Sequence, residues 1–160
     1  MIQTKHMKRF LMCFLLTILI LILLLLCINP NYKTKAEYAS NWTSDVQLLA
    51  RAINGEARGE SYEGQVAVGA VILNRIDSPD FPNTLAGVIY EPGAFTAVSD
   101  GQINVPIDEN STVYKAAQDA LNGWDPTNGC LYYFNPNTAT NSWIWSKTIV
   151  KTIGKHHFCK

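Results

Sequence analysis

The sequence predicts an α+β domain, mainly helical, with a small antiparallel sheet at its C-terminal end and one apolar helix ahead of it. Three observations carry this. Apolar residues recur at helical spacing in separate segments between residues 44 and 123, and the chain beyond residue 130 changes to aromatic and β-branched runs broken by Asn, Pro or Gly. Phe10 to Ile28 then contains no charged residue at all.

That apolar stretch of 19 residues follows Lys5, Lys8 and Arg9. At a helical rise it reaches about 28 Å, the depth of a bilayer core. It exceeds the usual apolar length of a secretory signal, which favours an uncleaved anchor, although Thr34 and Ala36 are small enough for cleavage after Ala36. Residues 1–28 are therefore read as signal peptide or membrane anchor, 29–42 as a polar linker, and 43–160 as the working domain. The preceding positive charges direct that domain outward. Residues 1–36 hold five Lys/Arg and no acid, which leaves eight basic and 13 acidic side chains beyond them, a net of −5. No basic stripe of a nucleic-acid binder is present.

Within the domain, "TSDVQLLARAIN" reads as the first helix, with Ser44 and Gln47 as a capping box and Val46, Leu49, Ala50 and Ile53 on one face. Gly55 and Gly59 loosen the pattern, so Glu56 is expected at or just beyond the helix end. "SYEGQVAVGAVILNRI" gives a second helix over about residues 62–76. It is apolar nearly all round and so central, with small residues permitting close neighbours. A turn at Pro79–Pro82, a short helix near Thr84–Tyr90 and a loop over 93–110 follow. "STVYKAAQDALNG" is another helix, stopped by Gly123. "CLYYFNP", "SWIWSK" and "TIGKHHFCK" are expected to supply two or three short strands.

Several chemistries are disfavoured by residue type. The serine hydrolase elbow G-x-S-x-G is absent. The exported part has two histidines, His156 and His157, too few for a three-histidine zinc site, and as strand neighbours they face opposite ways. One of them with carboxylates remains open as a metal site, without a motif behind it. Cys130 and Cys159 lie where a disulfide could persist; neither opens a helix that would activate a thiolate.

Carboxylates and aromatics remain, and they suit sugar chemistry. Glycosidic cleavage needs a carboxylic acid that protonates the leaving oxygen. Glu56, at the end of a core-packed helix, fits through partial burial. Glu60 is a neighbouring like charge, and Arg58 is placed to oppose or orient one of the two. Tyr132, Tyr133, Trp143 and Trp145 offer stacking platforms for pyranose faces. Thr96, Gln102 and Asn135 offer hydrogen bonds to hydroxyl or N-acetyl groups, with Phe95 and His156 completing the candidate substrate contacts. The plainer readings are a solvated Glu56, aromatics as core and edge packing, "PGAF" as a turn and His156 as a rim residue.

"ARAINGEARGESYEGQVAVGAVILNRIDSPDFPNTL", "GVIYEPGAFTAVSDGQI", "GWDP", "LYYFNP", "WIWS" and "IGKHHFC" occur in this order. Together they resemble the catalytic domain of the SleB/CwlJ cell wall hydrolases, the spore cortex-lytic enzymes, over roughly Val46 to Cys159. The resemblance implies a lysozyme- or lytic-transglycosylase-like fold. It implies cleavage of peptidoglycan between N-acetylmuramic acid and N-acetylglucosamine, leaving a 1,6-anhydromuramoyl end, during germination. It places the catalytic acid on Glu56, reduces Glu60 to support, and calls for no cofactor and no metal. An N-acetylmuramoyl-L-alanine amidase and a non-catalytic peptidoglycan-binding domain are the alternatives. Relatives often carry a separate binding domain before the catalytic one. Here only the linker stands there, so targeting is expected to rest on the membrane anchor or an accessory germination protein, at the spore envelope or cortex.

Overall fold

The computed structural model describes residues 12, 14–21, 35–108 and 110–160. The chain divides into two compact units, Met1–Asn41 and Trp42–Lys160. In the first, Met12 and residues 14–21 are helical and exposed, and Thr17 Oγ1 donates to Phe14 O at 2.8 Å. Part of the apolar stretch Phe10–Ile28, including Cys13 and Cys27, lies outside the described residues, as do residues 29–34. Among the described residues no helix is long and apolar enough to cross a membrane.

Helix α1 is Lys35–Ala57. It starts well before Ser44, so residues 35–42 are helical where a linker was expected, and Ser44 is an interior residue rather than a cap. The reason is local: "KAEYASNW" is free of Gly and Pro and rich in good helix formers. Helix α2, Tyr62–Asp77, is capped by Ser61, whose Oγ accepts from Gly64 N at 3.2 Å. It is the central helix, buried without interruption from Gly64 to Ile72. A Cβ on Gly69 would stand 3.0 Å from Ile53 Cδ1 and 3.2 Å from the Ala120 methyl. The glycine lets α1 and the later helix close tightly on α2 there, where a Cβ would make both neighbours give way.

The short helices α3, Leu85–Ile89, and α4, Thr96–Ser99, follow, then a 3₁₀ turn at Gln102–Asn104. The segment read as loop thus contains α4, which matters for the site. Helix α5, Thr112–Leu121, buries Val113, Ala116, Ala117 and Ala120 and packs most extensively on α2. Gly123, at φ 97°, turns the chain out of it.

Three antiparallel strands close the domain: β1 Tyr132–Phe134, β2 Ile149–Ile153 and β3 His156–Cys159, in the order β1-β3-β2. Tyr133 pairs with Phe158, and Thr152 with His157. "SWIWS" is not a strand. It forms a 3₁₀ turn, Ser142–Ser146, with Asn141 Oδ1 accepting from Trp143 N at 3.0 Å, and leaves Trp143 and Trp145 half exposed. The alternation of its apolar residues expresses two exposed indoles rather than a pleat. Cys130 and Cys159, which the sequence left open as a disulfide pair, are buried free thiols.

Candidate active site

Glu56 sits inside the last turn of α1, half-buried. Its carboxyl group is held from two sides. Oε1 accepts from Ala97 N in α4 at 2.9 Å, and Oε2 accepts from Tyr133 Oη in β1 at 3.1 Å. Burial, and then the Glu56 charge, push the Tyr133 hydroxyl well above its ordinary value, so it remains a donor at any working pH. Ala97 can reach Glu56 because residue 55 is glycine: a Cβ there would overlap the Ala97 methyl. Gly55 therefore does not release the chain from its helix, as the sequence suggested. It stays helical and admits α4.

Glu60 points elsewhere. Its Oε2 accepts from Lys155 N at 3.0 Å, at the turn between β2 and β3. Gly154 occupies that turn at φ 58°, and a Cβ on it would overlap the same carboxylate. Glu60 thus seats the hairpin, whose next residue is His156. Arg58 contacts neither glutamate in the way envisaged; its Nη1 donates to Gln102 Oε1 at 2.7 Å on the surface, which ties up that acceptor.

The other expected contacts divide. Tyr133 and His156 join Glu56. His156 is buried, packs edge-on to Tyr133 at 5.2 Å, and among the described residues has no hydrogen-bond partner at Nδ1. Burial lowers its pKa, opposed by Glu60 and Glu56 and aided by Lys155, so the imidazole is neutral near pH 7. Thr96 is exposed at the start of α4, beside Ala97. Phe95 is only 4% exposed and serves as a core ring, stacked 5.2 Å from the Arg75 guanidinium. Asn135 organises its own turn, its Oδ1 accepting from Asn137 N at 2.9 Å. Trp145 is exposed but leans on Phe134, 4.9 Å between centroids. His157 packs on Phe134, on the opposite side of β3 from His156.

Beside Tyr133 opens a cleft of about 320 Å³, lined by Arg75, Glu91, Tyr132, Tyr133 and Trp143 among others. Tyr132 and Trp143 meet edge to face at 5.1 Å, and Lys147 lies over both rings, at 4.5 and 4.6 Å. Among the described residues no cluster of three His, Cys, Asp or Glu is placed to hold a metal. Burial raises the pKa of both Cys130 and Cys159, keeping them as unreactive thiols. The chemistry available is that of one oriented carboxyl group at the edge of an aromatic cleft.

Comparison with known proteins fits this arrangement. The family model described as Cell Wall Hydrolase matches residues 59–159. The chain belongs to the cell wall hydrolase family. The matched segment takes in α2, the cleft and all three strands, and begins three residues after Glu56. A spore cortex-lytic enzyme of Bacillus cereus is 62% identical over 117 residues, 73% of this chain and 44% of that protein. The counterpart from Bacillus subtilis is 62% identical over 117 residues, 38% of its length. This cell wall hydrolase therefore spans less than half of those relatives. The crystal structure of the catalytic domain of the Bacillus cereus SleB protein superposes with a TM-score of 0.69 at 57% identity. That match covers 82% of this chain and 94% of the other. The catalytic domain of the germination-specific lytic transglycosylase SleB from Bacillus anthracis gives 0.69 at 56%, covering 82% and 99%.

Sequence reasoning did not reach two members of this candidate site. Ala97 acts through its backbone, and no side-chain pattern announces a backbone donor. Arg75 had a signal: it is the one basic residue of the central helix and is buried there.

Proposed function

We propose that the Trp42–Lys160 domain cleaves peptidoglycan glycan between N-acetylmuramic acid and N-acetylglucosamine, as a lytic transglycosylase acting on spore cortex during germination. The observation that carries this is Glu56: a single carboxyl group, fixed by Ala97 N and Tyr133 Oη beside an aromatic cleft. Protonated Glu56 gives its proton to the glycosidic oxygen as the C1–O bond breaks and positive charge develops at C1. The resulting carboxylate takes the proton of the muramoyl C6 hydroxyl, whose oxygen closes on C1. The nucleophile is part of the substrate, so neither an activated water nor a second carboxylate is required. The hydrogen bond from Lys155 N to Glu60 supports a seating role for Glu60 in place of one in bond making.

Residues 1–28 export the domain, as anchor or cleaved signal, and residues 29–42 join it to them. Its partners on this reading are the glycan strands, the membrane through that segment, and an accessory germination protein. Mass spectrometry of digested cortex tests the reaction. Anhydromuropeptides are expected; free stem peptides would indicate an amidase, and intact glycan with retained sacculus binding a non-catalytic domain. Glu56→Gln protein that folds and keeps full activity would remove Glu56 from the role.

A further inference from the structure

A second pocket, of about 330 Å³, opens on a different side of the central helix from the Glu56 site. Ala70, Leu73, Asn74 and Asp77 line it from α2, and their spacings of three and four put them on one stripe. Arg75 lies off that stripe and lines the cleft beside Tyr133 instead. Ala120 and Leu121, from the last turn of α5, extend the apolar floor, and Trp124, 43% exposed, forms a wall. The Trp124 ring leans on Tyr62, 5.9 Å between centroids, and Tyr62 Oη donates to Asp119 Oδ2 at 2.5 Å. The volume stands at the small end of ligand sites, which run from ~300 to 1,000 Å³.

The polar groups here offer acceptors and negative charge. Asn74 spends its Nδ2 on Asp125 Oδ2 at 3.0 Å and Cys130 O at 3.1 Å, which leaves its amide oxygen. Burial disfavours the Asp125 charge, but hydrogen bonds from Thr127, Asn74 and Gly129 outweigh it and lower the pKa. Asp125 is thus a fixed negative charge with its oxygens engaged. Asp77 is exposed and has no hydrogen-bond or ion-pair partner among the described residues. Helix α2 ends at Asp77 and α5 at Leu121, so the negative ends of two helix dipoles converge on the pocket. The last turn of α5 holds no basic residue, and that of α2 holds only Arg75, which lines the other cleft. Among the described residues no Lys or Arg lines the pocket; Lys115 lies beyond it, over the Tyr62 ring at 5.6 Å.

These charges select the ligand class. An anion is repelled by both carboxylates and both helix ends. A neutral apolar group leaves Asp77 and the Asn74 oxygen without a donor. A protonated amine on an alkyl stem meets every feature, with its stem on the floor and its charge between the indole face and Asp77. The diamino acid of a wall peptide brings a carboxyl group on the same carbon as its amine, and Asp77 and Asp125 oppose it. A lysine side chain carries no such carboxyl group. Beyond residue 36 the chain holds 13 acidic and eight basic side chains, a field that draws a basic protein.

We propose that this pocket binds a lysine side chain of a partner protein, its stem against Leu73 and Leu121 and its ammonium between Trp124 and Asp77. The site goes beyond the glycan-cleaving function and shares no residue with the Glu56 site.

The test titrates the full chain with three probes and follows the indole N–H resonance of Trp124, assigned with Trp124→Phe. The probes are N-acetyl-lysine methylamide, N-acetyl-norleucine methylamide, which keeps the stem without the ammonium, and a stem peptide containing diaminopimelate. The lysine amide is expected to bind about tenfold tighter than the norleucine amide, the scale of one cation–π contact and one exposed ion pair. Asp77→Asn is expected to weaken the lysine amide about threefold and leave the norleucine amide unchanged. Salt of about 1 M, where the Debye length is about 3 Å, should act in the same way. Asp77 is exposed, so the variant should fold, and the remaining indole resonances check that it does. Equal affinity for the two blocked amino acids overturns the pocket, as does lysine binding indifferent to Asp77→Asn or shifts that spare Trp124. Tighter binding of the stem peptide than of the lysine amide overturns the partner protein as the occupant.

Discussion

Glu60 offers the sharpest separation between a catalytic and a seating role, because its hydrogen bond to Lys155 N can be weakened in graded steps. The carboxylate accepts from Lys155 N at 3.0 Å and lies against Gly154, whose φ is 58°. A hydrogen bond to a charged acceptor contributes about 1.5–3 kcal/mol, and one to a neutral acceptor about 0.5–1.5. Glu60→Gln is therefore expected to cost about 1 kcal/mol and Glu60→Ala about 2. Gly154→Ala adds about 1–2 kcal/mol for a left-handed non-glycine residue. In the wild type it also displaces the Glu60 carboxylate, for a total of about 3–4 kcal/mol. In the Glu60→Ala background only the backbone strain remains, so the two substitutions couple by about 2 kcal/mol. Urea unfolding followed by tryptophan fluorescence reads the wild type and the four variants. Lysis of sacculi by Glu60→Gln should stay within about threefold of wild type, since the neutral acceptor still seats the hairpin. A Glu60→Gln protein of native stability but without activity would refute the seating role, and so would additive Gly154 and Glu60 effects.

Three further outcomes follow from the same geometry. Tyr133→Phe removes one of the two donors to Glu56 and is expected to lower kcat about 10- to 100-fold in a sacculus-clearing assay, with KM little changed. Gly55→Ala brings a methyl onto Ala97 and pushes α4 away, so activity should fall more than the ~1–3 kcal/mol of overpacking in urea unfolding implies. His156 binds a proton less readily folded than unfolded, because burial lowers its pKa below the ordinary 6.5. Between the two values the unfolded chain holds more protons, so this contribution is complete above about pH 6.5 and is lost as pH falls through the lowered value. The urea midpoint should therefore drop on acidification toward pH 5, and His156→Gln should flatten that drop.

What the sequence made legible, and what it hid, divides by distance along the chain. Helices α2 and α5 were readable because their apolar spacing and end residues are local, and Gly123 stops α5 where a left-handed residue is needed. The strands at 132–134 and 156–159 were readable from β-branched and aromatic runs. The start of α1 was missed because Ser44 and Gln47 fit a capping box that a longer helix overrides, and "SWIWS" because its alternation mimics a strand. At the site, residue type selected Glu56, yet what orients it lies 41 residues away at Ala97 and 77 away at Tyr133. Glu60 meets its partner 95 residues on. Four residues apart in sequence, the two glutamates look alike; their long-range partners, one set in α4 and β1 and the other at the β2–β3 turn, make them different. Gly55 and Gly154 decide both cases, each by having no side chain where another element must come close. A glycine in sequence says only that the backbone is free, and what occupies the space is fixed by the fold.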